Sequence, residues 1–158
     1  MIRKIYTDTE WELRFGKLDF WVSENRTVIV DPQWQKENII IYELPILGKL
    51  AVNKNVVGDL VRILTQIELK GLDRYIDRED TRLNGGIYCA RFNVGNKARL
   101  SRHSWGCPID INPSTNKFNT KPNINMDIVK VFNDNGWAWF GDLRINDGMH
   151  FEPAKIMG

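Results

Sequence analysis

Hydrophobic positions change period several times along the chain, and each change predicts an element. Leu18, Phe20 and Val22 recur at every second position, as do Val28 and Val30. A period of two marks strands with one buried face, so these read as a hairpin turning at Glu24-Asn25-Arg26 and closed by Asp31-Pro32. Residues 1–36 are therefore expected to form a strand-rich N-terminal extension. Asn38 to Leu44 is a further strand, stopped by Pro45. From Asn55 to Leu69 the spacing becomes three and four (Val57, Leu60, Val61, Leu64, Ile67), which predicts an amphipathic helix with Gly71 as its C-terminal stop. Leu72–Ile76 and Gly86–Arg91 read as short strands around an exposed charged loop, Asp77–Asn84. Residues 92–102 read as loop, Cys107–Asn112 as a short strand ended by Pro113, and Ser114–Asn123 as a polar loop. Met126–Asn133 reads as a helix with Ile128, Val131 and Phe132 inward and Gly136 beyond its end. Trp137–Phe140 and Met149–Glu152 are the last predicted strands. Helices and strands mix without βαβ regularity, so the expected fold class is α+β.

Composition bounds what such a fold can be. At 158 residues the length suits one domain, 1–158, and 42% hydrophobic against 27% charged residues is the balance of a folded core. A formal net charge of +2 argues against a nucleic-acid-coating protein. The longest apolar runs, such as Ile39-Ile40-Ile41, fall far short of the ~18 residues of a membrane span. Charges within Met1–Glu10 occupy the place of an apolar signal core, so no secretory signal is expected. Cys89 and Cys107 form neither a C-x-x-C pair nor a disulfide framework. The simplest expectation is two buried free thiols in a reducing compartment, with a single disulfide between them left open.

The chemistry concentrates around the chain's two histidines. His103 lies in Ser101-Arg102-His103-Ser104-Trp105-Gly106-Cys107-Pro108-Ile109-Asp110, and His150 in Asp147-Gly148-Met149-His150-Phe151-Glu152. Strand alternation points Cys107, Ile109 and Ile111 one way and Asp110 the other, and it separates Met149 and Phe151 from His150 in the same manner. If these strands are neighbours, Asp110 and His150 share a polar face, and Gly106 permits the turn that brings His103 over it. Two imidazoles and a carboxylate suit zinc and leave a fourth position for water, whose pKa a bound zinc lowers to roughly 7. Asp147 stands at the offset a general base requires, with Glu152 as its rival. On residue pattern alone, two histidines in ordinary surface or core roles remain an equal alternative. Ser101 is better read as a supporting hydrogen-bond or turn residue than as a nucleophile, and alternation turns Cys107 away from any metal.

The two histidine segments together resemble the LAS-type zinc peptidases, the family of D-alanyl-D-alanine carboxypeptidases and L-alanyl-D-glutamate endopeptidases. Ser101, His103, Gly106 and Asp110 match its first motif, with Pro108 where Ala is usual. Asp147, His150, Phe151 and Glu152 match its second. Asp110-Ile111-Asn112-Pro113, the run Gly136 to Asp142 and Leu44-Pro45 are similar to the carboxypeptidase-like branch, so the resemblance spans roughly 38–156. It implies a small, mainly antiparallel sheet flanked by two or more helices. It also implies Zn2+ held by His103, Asp110 and His150, Asp147 as base, and Arg91 binding the substrate carbonyl or carboxylate. Ser101 and Glu152 would be supporting or substrate-contacting residues. Pro108 removes one backbone N–H beside Asp110 and favours an edge strand or bulge without altering a ligand.

The implied function is a peptidase hydrolysing an amide in the peptide stem of bacterial peptidoglycan. The stem peptide is the expected partner, with no nucleic acid and no membrane. Lack of a signal suggests synthesis in the cytoplasm and action at the wall after phage-type release or as a virion component, as in an endolysin. The alternatives are a non-catalytic virion or wall-binding component that keeps fold and metal, and a zinc hydrolase of another small amide.

Overall fold

The computed structural model describes residues 4–142 and 145–155. The N-terminal segment begins with helix α1 (Asp8–Phe15). Thr7 accepts from the Glu10 N–H while Glu10 reaches back to the Thr7 N–H, a reciprocal cap for two N–H groups that lack helical partners. The helix buries Trp11 and Phe15. Strands β1 (Phe20–Val22) and β2 (Val28–Val30) then pair as the predicted antiparallel hairpin. Asp31-Pro32 opens helix α2 (Pro32–Asn38) rather than merely closing that hairpin. The Asp31 carboxylate accepts from Gln33 N–H, and proline occupies the first turn, where its missing donor costs nothing. The N-terminal region is thus helix, hairpin, helix, and the strand-rich expectation holds only for its middle.

Strand β3 (Ile39–Leu44) lies where the apolar run predicts it. It pairs with β4 (Gly48–Asn53), a strand whose mixed pattern gave no clear period. Helix α3 (Val57–Leu69) buries Leu60, Ile63, Leu64 and Ile67. It stops at Gly71, where φ is +68°. The Leu72 N–H bonds the Ile67 carbonyl and the Gly71 N–H bonds the Glu68 carbonyl, which satisfies the last turn.

Residues 72–91 depart most from expectation. Asp73–Tyr75 is a single 3-10 turn, not a strand. The expected exposed loop is helical: α4 (Arg78–Asp80) continues into a wider turn over Thr81–Gly85. Thr81 is buried, and Arg78 and Arg82 bond carbonyls of the β3–β4 turn. Of the expected Gly86–Arg91 strand there is one bridge, Gly86 to Asp110. Tertiary hydrogen bonds to the hairpin turn outweigh the local preference here.

The last part builds a three-stranded sheet from β5 (Ile109–Asp110), β6 (Trp137–Trp139) and β7 (His150–Pro153). Its order is β5-β7-β6 and both pairings are antiparallel. Pro108 precedes a two-residue strand at the sheet's edge, as its missing donor demands. Helix α5 (Met126–Asp134) buries Ile128, Val129, Val131 and Phe132. Phe132 stacks on Phe151 of β7 with centroids 4.2 Å apart. The fold is α+β. No described helix is long and apolar enough to cross a membrane.

One apolar cluster joins these parts, running from Trp11, Phe15, Leu18 and Val30 through Leu60 and Leu64 to Ile109, Phe132 and Phe151. The N-terminal segment therefore shares the core of the rest. Trp11→Ala should lower stability by ~3–5 kcal/mol and move a single cooperative transition. Chemical denaturation checks this, and an unchanged midpoint would place α1 outside the core.

Candidate functional site

Antiparallel register sets the centre of the site. Asp110 of β5 sits directly opposite His150 of β7, while their neighbours Ile109 and Phe151 pair on the core side. His103 arrives from a 3-10 turn, Arg102–Trp105, ended by Gly106 at φ +68°. Ser101 begins that turn, its hydroxyl accepting the His103 N–H at 3.2 Å, so this side chain is committed to holding the turn. A Cβ on Gly106 would stand 2.8 Å from Ile39, a second reason for glycine there.

His103, Asp110 and His150 are all buried, and one donor atom from each lies within 4.8 Å of the others. His103 Nε2 is 3.1 Å from one Asp110 oxygen, and His150 Nδ1 is 3.2 Å from the other. The opposite ring nitrogens are anchored. His103 Nδ1 donates to the Ile87 carbonyl at 2.9 Å, and His150 Nε2 donates to Glu152 at 2.9 Å. Anchoring one nitrogen fixes the ring and turns the other's lone pair into the site, as in metal-binding imidazoles. Phe140 packs on the His150 ring at 4.4 Å between centroids. The rings of the two histidines meet edge to face at 5.1 Å.

Two observations fit this group to a divalent cation. Asp147 Oδ1 is buried with no hydrogen-bond partner among the described residues, and His103 Nε2 approaches Asp110 at 3.1 Å without the alignment of a hydrogen bond, although native buried polar atoms are nearly always satisfied. The donor set of two imidazole nitrogens and a carboxylate is one that zinc accepts. Burial opposes charge on Asp110, but His103 and His150 outweigh it and hold its carboxyl well below the usual range. Burial would likewise lower His150, yet hydrogen bonds to Asp110 and Glu152 push it up to about 10. A cation at the same place would displace that proton and take over its role.

Asp147 lines the same cleft, on a turn where its carbonyl accepts the His150 N–H at 3.2 Å. The turn is pinned by Trp139, whose indole donates to the Gly148 carbonyl at 2.8 Å. Burial raises the Asp147 pKa, and the charge of Asp110 adds to this against the pull of His150, His103 and Arg91. Arg91 also lines the cleft, which measures about 670 Å³. Its backbone N–H donates to Ser104, and its carbonyl accepts from Ser101 N–H at 2.8 Å. Residues 92–100 loop out and return through a Phe92–Leu100 bridge, so Arg91 and His103 are neighbours despite their separation in sequence.

Residues 94–153 match the family described as D-alanyl-D-alanine carboxypeptidase. Over that segment, somewhat more than a third of the chain, the protein is similar to this peptidase family. No curated protein and no solved structure gives a significant match. The peptidase segment contains His103, Asp110, Asp147, His150 and Glu152, while Arg91 precedes it and the whole N-terminal region lies outside it. The similarity points to a hydrolase, and the buried triad is a candidate metal-binding group.

Glu152 is fully buried, bound to His150 on one side and to Arg102 on the other. That leaves it poorly placed to act as a base. Both cysteines are free; Cys107 is buried as expected, with its thiol directed to the Trp105 carbonyl, but Cys89 is exposed rather than buried. Sequence reasoning missed Arg102, the Ile87 carbonyl and Gly85. A Cβ on Gly85 would lie 2.5 Å from the Asp110 carbonyl oxygen, so only glycine lets that strand approach. Its one sequence signal is the Gly85-Gly86 pair, which reads equally well as an ordinary turn. Gly85→Ala should cost ~1–3 kcal/mol of stability by forcing Asp110 outward. An unaltered denaturation curve would show that the contact is not tight.

Proposed function

We propose that the chain is a zinc-dependent peptidase acting on an amide bond in the peptide stem of bacterial peptidoglycan. The observation that carries this reading is the convergence of His103, Asp110 and His150, with His103 Nε2 facing the carboxylate without an aligned hydrogen bond, inside the segment similar to the peptidase family. These three side chains would hold the ion. Zinc there would supply a Lewis acid that polarises the scissile carbonyl and makes hydroxide available near neutral pH.

The protein's own groups do the rest. Asp147 accepts the proton of the attacking water and returns it to the leaving amine. Its partial burial and raised pKa bring it nearer the range useful for such transfer. Among the described residues, Arg91 is the cleft arginine with no acidic side chain bound to it. Its guanidinium holds only the Phe92 carbonyl, at 3.5 Å, whereas Arg99 and Arg102 are taken up by Asp8 and Glu152. That leaves Arg91 to grip the substrate carboxylate or stabilise the developing oxyanion. A non-catalytic wall-binding role has no observation in its favour, since both the base and the cation line the cleft with the triad.

Asp147→Ala should reduce turnover of cell-wall peptides by ~10²–10⁴-fold while zinc stays bound; full activity would remove Asp147 from the mechanism. His103→Ala should abolish stoichiometric zinc, measured by elemental analysis of the dialysed protein. Mass spectrometry of digested sacculi identifies the bond: released D-alanine for the terminal D-Ala-D-Ala linkage, or a stem cut after L-alanine for L-Ala-D-Glu. Intact stems would refute the peptidase assignment.

A further inference from the structure

Glu152 is a carboxylate with no exposure to solvent, and its two oxygens serve two different neighbours. One accepts from His150 Nε2 at 2.9 Å, and the other pairs with Arg102. A buried carboxylate holds its charge only if a cation or several donors compensate for the lost water. Arg102 supplies that compensation. It is itself held from three sides by the N-terminal segment: its second guanidinium nitrogen donates to the Tyr6 carbonyl at 2.6 Å, Asp8 lies at 3.2 Å, and the guanidinium sits 4.5 Å over the Trp11 ring. The same segment grips the His103 turn, where the Trp105 indole donates to the Gly16 carbonyl at 2.8 Å. At its start the segment is tied to the chain's far end by the Lys4–Lys155 bridge and the Glu10–Lys155 ion pair.

From this chain of contacts we infer that Arg102 is a positioning residue for the metal centre. It acts through Glu152 to hold the His150 ring with Nδ1 facing Asp110, and α1 with the residues before it forms the bracket that keeps Arg102 in place. The N-terminal segment lies outside the stretch that matches the peptidase family, and it is thereby a working part of the site. The inference rests on the zinc reading above.

Zinc affinity of the purified full-length protein, measured by competition with a chromophoric chelator, tests it. Arg102→Ala should weaken zinc binding ~10–100-fold, the usual cost of losing an outer partner of a metal ligand. Arg102→Lys, which keeps the charge beside Glu152, should recover most of the loss. Arg102→Gln, which keeps a donor for the Tyr6 carbonyl without the charge, should bind as weakly as Arg102→Ala and serves if the alanine variant does not fold. Adding Arg102→Ala to Glu152→Gln should weaken binding no more than ~2-fold beyond Glu152→Gln alone, because one acts through the other. A purely structural Arg102 would lower the melting temperature and leave the affinity of the folded protein unchanged. That result, or independent and fully additive losses, would overturn the inference while leaving the zinc reading intact. A wild-type protein that takes up no zinc would overturn both.

Discussion

The site depends on one carboxylate, Asp110, desolvated between two imidazoles. Removing a charge from water costs several kcal/mol unless partners replace the lost hydration. Here His103 and His150 approach opposite oxygens of the same group at 3.1 and 3.2 Å. The arrangement holds together with a proton on His150, and under the proposed function a divalent cation would take that proton's place. The reason is that the anion is buried, where a neighbouring positive charge must replace the lost water.

Three unrelated elements must meet for this to happen, and each is placed by a different device. The β5–β7 register puts Asp110 against His150, with Ile109 and Phe151 anchoring the pair from the core side. The αL glycine at Gly106 folds the His103 turn back over the sheet. Gly85 lets the wide turn of residues 81–85 press against the Asp110 backbone, whose N–H bonds the Gly86 carbonyl at 3.0 Å. Packing then fixes the imidazoles: Phe140 against one ring, the Ile87 carbonyl on the other, and Glu152 beneath. Both imidazoles are thus held by contacts on the side away from Asp110 or across the ring face. The cleft wall is completed by residues of the N-terminal segment, including Trp11, Leu18 and Phe20.

Much of the fold was legible because it obeys a single period. Helices α3 and α5 follow the three-and-four spacing of Leu60, Leu64 and Ile67 and of Ile128, Val131 and Phe132, and both end where glycines allow. The β1–β2 hairpin follows alternation. The elements that were misread are those whose signal is a cap or a distant partner. The Thr7–Glu10 box and the Asp31-Pro32 start are helix signatures embedded in short segments with weak periodicity. Residues 78–85 are helical because Arg78 and Arg82 reach carbonyls of the β3–β4 turn, a partner some thirty residues away.

The candidate site divides along the same line. Sequence alone determined which side chains have the right chemistry and which way they point on their strands, because alternation is a local property of the backbone. It thus singled out His103, Asp110, Asp147 and His150, and motif resemblance added Arg91. Only the tertiary structure decided that β5 and β7 are partners, that a looping segment brings Arg91 beside the His103 turn, and that Glu152 is sealed between His150 and Arg102. Those are contacts between residues far apart in the chain. Chain closure, burial and charge compensation select them together, and no local pattern encodes them.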